Sequence, residues 1–133
     1  MRRVCMLFAL AGLLFGAACA DAPTGNGGPG VGTLILRLTT THTDDGAVLF
    51  ELSGPSIESV LPVNASLRLF TRRANDETIV GAVVGAVTNG AVVTLRVPDV
   101  AAAPRYTARV LEVADRDNVL RASLTGYALT VDR

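Results

Sequence analysis

The sequence predicts an all-β protein: a single antiparallel β-sandwich of eight to nine strands, immunoglobulin-like or jelly-roll-like. Three observations predict it. From residue 33 onward, runs of β-branched and apolar residues alternate with polar ones at a period of two. Turn formers close these runs about every 8–12 residues, the cadence of a sandwich. No segment after Gly32 sustains a 3.6-residue apolar pattern, so helix is expected to be minor.

Residues 33–41 (TLILRLTTT) form the first expected strand, with Leu34, Leu36 and Leu38 on one face and Ile35 and Arg37 on the other. Residues 42–46 (HTDDG) read as a turn whose strongest element is Asp-Gly. Residues 47–53 (AVLFELS) alternate again, with Val48, Phe50 and Leu52 inward and Glu51 outward, until Gly54-Pro55 breaks the run. Residues 57–63 are a short apolar stretch interrupted by Pro62, and residues 66–71 (SLRLFT) place Leu67 and Leu69 inward and Arg68 outward.

A polar loop at 72–76 precedes the apolar run 78–87 (TIVGAVVGAV). Its two glycines argue against a helix and point to bulges or to a strand covered on both faces. Asn89-Gly90 is a hairpin signal, followed by residues 91–97 with Val93, Leu95 and Val97 inward and Arg96 outward. A connection at 98–104 is bounded by prolines. Residues 105–114 form a longer strand, 115–118 (DRDN) a charged loop, and 119–124 and 127–131 the closing strands around Thr125-Gly126.

Ahead of this body, Met1-Arg2-Arg3 is a charged start and residues 4–18 are 15 uncharged, mostly apolar residues ending in small ones. That is the layout of a secretory signal peptide, and it is shorter than the ~20 residues that span a bilayer. Gly16-Ala17-Ala18-Cys19 resembles a bacterial lipobox, with Gly16 where that pattern usually has Leu. The resemblance implies cleavage before Cys19 and lipidation of its thiol, so that the partner is a lipid bilayer reached through acylated Cys19. Ala20, rather than Asp, after the cysteine points to an outer-membrane lipoprotein. Ala18-Cys19-Ala20 is a competing A-x-A site whose cleavage would release a periplasmic or secreted protein. The expected organisation is a signal over 1–18, a Gly/Pro-rich flexible tether over 19–32 and a sandwich over 33–133.

Composition excludes several functions. The chain has 12 Arg and no Lys against 12 acidic groups. Loss of residues 1–18 leaves 10 basic groups and a formal net charge of −2. Nucleic acid is therefore not an expected partner. Both cysteines, Cys5 and Cys19, precede the sandwich, so it can hold neither an internal disulfide nor a thiolate zinc site.

With the strand order in hand, residues 33–132 resemble the cohesin-like and carbohydrate-binding-module-like sandwiches of bacterial extracellular proteins. The likeness rests on the strand 46–52 ending at Ser53-Gly54-Pro55, where the family has an aromatic-Asp-Pro step. It rests also on the strand 106–113, the loop 115–118 and the final Gly126-Tyr127-Ala128-Leu129-Thr130-Val131. It implies the fold; dockerin or polysaccharide binding is not carried over, because fold alone does not fix function.

Residues able to carry chemistry are few. His42 is the lone imidazole; it is a base beside Asp44 or Asp45 on one reading, a solvated turn residue on the other. Asp115, Asp117 and Asn118 are a fragment of a calcium loop without the Gly and Glu of an EF-hand, and equally suit a hairpin turn. No other cofactor is expected. Glu51 and Glu112 are the one carboxylate pair on strands. Tyr106 and Tyr127 are the candidate ligand contacts in a chain without Trp. Arg68, Arg72, Arg73 and Arg96 would form an acidic-partner patch if their strands were neighbours. The expected function is a non-catalytic, envelope-anchored interaction or structural module whose partner is an envelope protein or glycan. The alternatives are a small-ligand or glycan-binding module using Tyr106, Tyr127 and the 115–118 loop, and an envelope hydrolase using Glu51 or Glu112.

Overall fold

The computed structural model describes residues 30–133; the expected signal and most of the expected tether, with Cys19, lie outside the described residues. Eight strands form two four-stranded sheets in which every pairing is antiparallel. They are β1 (Gly32–Thr39), β2 (Asp45–Ser53), β3 (Ser59–Pro62), β4 (Arg68–Asn75), β5 (Thr78–Val87), β6 (Gly90–Val97), β7 (Thr107–Asp115) and β8 (Ala128–Asp132). One sheet runs β3-β6-β1-β8, the other β4-β5-β2-β7. The first strand lies beside the eighth, the second beside the seventh, the third beside the sixth and the fourth beside the fifth. Such nested pairing is the wrapped-hairpin pattern of a jelly roll. Only β4 and β5 are joined as a local hairpin.

Alternation explains the core. Leu34, Leu36, Leu38, Val93, Leu95 and Val97 of one sheet face Val48, Phe50, Leu52, Ile79, Val83, Val87 and Val113 of the other, all buried. Each fully buried aliphatic or aromatic side chain contributes about 1.5–3 kcal/mol. A sandwich of this length therefore needs no cross-link.

Two sequence expectations change and two are refined. Asn89-Gly90 is not a hairpin: β5 and β6 belong to different sheets, and the dipeptide turns the corner between them. The Asn89 side chain is engaged elsewhere, accepting from Thr40 N at 3.2 Å. Residues 119–124 are not a strand; a single bridge joins Leu120 to Ala114, and Val119 and Leu120 are exposed. The connection expected over residues 98–104 carries a 3₁₀ turn, Val100–Arg105, capped by Asp99, whose carboxylate accepts from Ala101 N at 2.8 Å. Of the two readings of the β5 glycines, the bulge is found, and the strand is covered on one face only. Gly81 lies against the Phe50 ring and Gly85, at φ +141°, sits where β5 bulges against β2, but Val80, Ala82 and Val84 face outward.

Candidate functional site

The residues singled out for chemistry fall at the two ends of the sandwich and on its outward sheet faces. The register sets β2 so that Asp45 is at one end, level with Val87 and Asp115, and Ser53 at the other, level with Thr78 and Thr107. Tyr127 belongs to the first end and Tyr106 to the second.

Asp45 is the centre of the first cluster. A register shift between Asp45 and Ala47 turns its side chain into the interior, where it is 0 % exposed. Its Oδ1 accepts from Arg121 Nε at 3.2 Å, from Arg121 Nη2 at 2.9 Å and from Tyr127 Oη at 2.8 Å. Its Oδ2 accepts from Thr40 Oγ1 at 3.3 Å. Arg121 also donates to Asp44, and Thr40 Oγ1 accepts the backbone N–H of His42. The His42 ring stacks on Tyr127, centroids 5.3 Å apart and 6° from parallel.

Both carboxylate oxygens are thus engaged, Oδ1 by three donors and Oδ2 by one. Its bonds to Arg121 hold the guanidinium pKa well above the ordinary range, against the opposing effect of burial. The Arg121 hydrogen bond in turn lowers the pKa of Asp44. No hydrogen bond joins the His42 ring to either aspartate among the described residues, and Asp45 has no exposed surface at which to meet a substrate. The cluster is a latch. It ties the segment between β7 and β8 to the corner between β1 and β2, and Arg121 is its bolt.

At the second end, Tyr106 is buried and donates through Oη to Ser56 O at 2.5 Å. Its ring packs against Gly54, where any Cβ would overlap it. The Gly54 break expected at the end of β2 is therefore a seat for Tyr106. Tyr127, at the far end, is half-buried with its hydroxyl turned inward. The two tyrosines do not share a face, so the aromatic platform expected of Tyr106 and Tyr127 is not assembled.

Both phenols are pushed above their ordinary pKa, each first by burial; the Asp45 carboxylate adds to the effect on Tyr127. A folded pKa above the unfolded value of about 10 gives stability that is full below pH 10 and lost as pH rises through the folded value. Because the chain has only these two tyrosines, alkaline difference absorbance reads them alone. Native protein is expected to titrate at higher pH than protein in denaturant; coincident curves would contradict the burial of both rings.

The charged loop after β7 is held by its own first residue. Asp115 Oδ1 accepts from the backbone N–H of Asp117 and of Val119, each at 2.9 Å, while Asn118 adopts a positive φ of 63°. Asp115 serves the turn, and a cation bound with Asp117 and Asn118 would compete with two backbone hydrogen bonds.

Glu51 and Glu112 lie on neighbouring strands of the open face of the second sheet. Glu51 is held by Arg109 in a bidentate pair, 2.9 and 3.2 Å. The groove beside Glu51, lined by Glu51, Ser53, Thr107, Ala108 and Arg109, does not include Glu112 and has a volume of about 160 Å³. Sites for small ligands are usually ~300–1,000 Å³. The four arginines do not form one patch. Arg68 and Arg72 point outward from β4, Arg73 points to the other face and donates to Ile57 O at 3.0 Å, and Arg96 pairs with Glu58 on the other sheet.

Sequence reasoning missed Arg121 and the inward turn of Asp45. Comparison with known protein families, with curated proteins and with solved structures finds no match for this chain.

Proposed function

We propose that this chain is a non-catalytic module of the cell envelope, held by a lipid on Cys19, whose β-sandwich acts by contact. The observation that carries the reading is the distribution of polar groups. Asp45, Arg121, Tyr127, Asp115 and Tyr106 are each committed to an internal partner, and no buried side-chain polar atom among the described residues lacks one. Active sites keep reactive groups reachable and their pKa values poised, whereas these groups close the fold. The surface that stays open is a sheet face. On the β4-β5 side of that face Phe70 and Val84 are exposed, and exposed apolar residues grouped on one face mark interaction sites.

The anchor is tested by growing the native host or an expressing bacterium with labelled fatty acid. Incorporation into the chain, lost in Cys19→Ala, supports the reading; an unlabelled, soluble wild-type chain overturns the anchor. The interaction role is tested by cross-linking in intact envelopes. A defined cross-linked species supports it, and a chain that remains uncross-linked at all surface positions overturns it.

A further inference from the structure

No side chain after Asp115 is buried. Residues 116–127 cross from β7 to β8 with Val119 and Leu120 exposed, and Leu124, Tyr127, Leu129 and Val131 lean on the core without entering it. β8 is the last strand and lies at the edge of its sheet, paired to β1 alone from Ile35 to Thr39. Its departure breaks one strand pairing and leaves β3-β6-β1 and the whole second sheet in place. The other edge strands, β3, β4 and β7, are followed by further strands, so none of them can leave as a free end.

The ties that hold this segment ahead of β8 converge on one corner. Among the described residues, its side chains bond the body through three residues. Arg116 donates to Thr43 O at 3.1 Å, Arg121 to Asp44 and Asp45, and Tyr127 to Asp45. The backbone adds Arg116 N to Asp44 O at 2.9 Å and Arg121 N to Val113 O at 2.8 Å. Asp45 is the one buried side chain that takes a bond from the segment.

We infer that residues 116–133 form a strap that opens as one unit while the two sheets stay folded, and that the bonds of Arg121 to Asp45 are its lock. Regions with few buried apolar contacts open at lower free energy than the core they rest on, and here the boundary falls at Asp115. The consequence lies at β1, whose backbone edge from Ile35 to Thr39 is covered by β8 while the strap is closed. An uncovered edge invites unwanted strand pairing, and the lock guards against it. The inference is independent of the lipid anchor and of any partner.

Hydrogen exchange of the full-length chain in mild detergent, read by mass spectrometry, tests it. In low urea, the amides of residues 116–133 are expected to show a shallower urea dependence than those of β2, β5 and β6. Local opening exposes less surface than global unfolding. Phe50→Leu weakens the core in the closed and opened forms alike, so it is expected to speed exchange in β2, β5 and β6 and to leave the strap unchanged. Arg121→Met weakens the closed form alone. It is expected to speed the strap by roughly tenfold or more, as the loss of a charge-assisted hydrogen bond implies, and amides that exchange by global unfolding speed with it. A strap with the urea dependence of the central strands, or one that Phe50→Leu speeds as much as it speeds them, overturns the inference. So does a strap that Arg121→Met leaves unchanged, or one that exchanges like an unstructured peptide in the wild type.

Discussion

Asp45→Ala is expected to destabilise the sandwich by about 3–5 kcal/mol, read from urea unfolding, because it removes one partner of a buried charge pair. The alanine leaves Arg121 without its inner carboxylate and Tyr127 Oη without its acceptor, at a position that is 0 % exposed. Breaking such a pair costs more than the pair itself is worth, since Tyr127 Oη and the inner side of Arg121 lose their acceptor while Arg121 keeps only Asp44. Two companion variants separate charge from shape. Asp45→Asn keeps the volume and one acceptor, and is expected to fall between wild type and alanine. Asp45→Leu combined with Arg121→Met replaces the pair by apolar groups and is expected to be milder than Asp45→Ala alone. A loss under about 1 kcal/mol for Asp45→Ala, a value ordinary for exposed sites, would show that the latch carries little of the fold. The same variant is expected to bring the Tyr127 titration closer to that of a free phenol, because the carboxylate is one of the groups that raises it.

How far the sequence reached depends on the range over which each feature is set. Strand identity and the inward sets Leu34, Leu36, Leu38 and Val48, Phe50, Leu52 follow from local alternation, and both are found buried. Which strands pair is a matter of contacts between distant segments. The Asn89-Gly90 dipeptide looks the same whether the chain doubles back or crosses to another sheet, and here the Asn89 side chain serves Thr40 instead of its own turn. Residues 119–124 have a strand-like composition, yet Asp45 draws Arg121 inward from a distance of 76 positions, out of step with its neighbours. The register shift between Asp45 and Ala47 likewise breaks the alternation just where it would have revealed Asp45 as internal. At β5, an unbroken apolar run signals burial on both faces, whereas within one chain only the Ile79, Val83 and Val87 side is covered.

Phe50→Ala is expected to cost about 3–5 kcal/mol, the usual range for emptying a buried aromatic site, and Gly81 explains why the cavity will not simply fill. The ring is 1 % exposed and lies over Gly81 on the neighbouring strand of its own sheet. A Cβ on Gly81 would stand 2.8 Å from Cε1 and 3.0 Å from Cε2, with Cζ nearer still. Gly81→Ala is thus expected to destabilise, although in an ordinary strand interior replacing glycine gains roughly 0.5–1 kcal/mol of backbone entropy. Overpacking costs about 1–3 kcal/mol, so the overlap outweighs the entropy. In a Phe50→Leu background the outer ring atoms are gone, and the same Gly81→Ala change is expected to turn neutral or stabilising. A double-mutant cycle measures this coupling directly. Equal effects of Gly81→Ala with and without the ring would mean that the glycine is there for the backbone of β5 and not for the aromatic that rests on it.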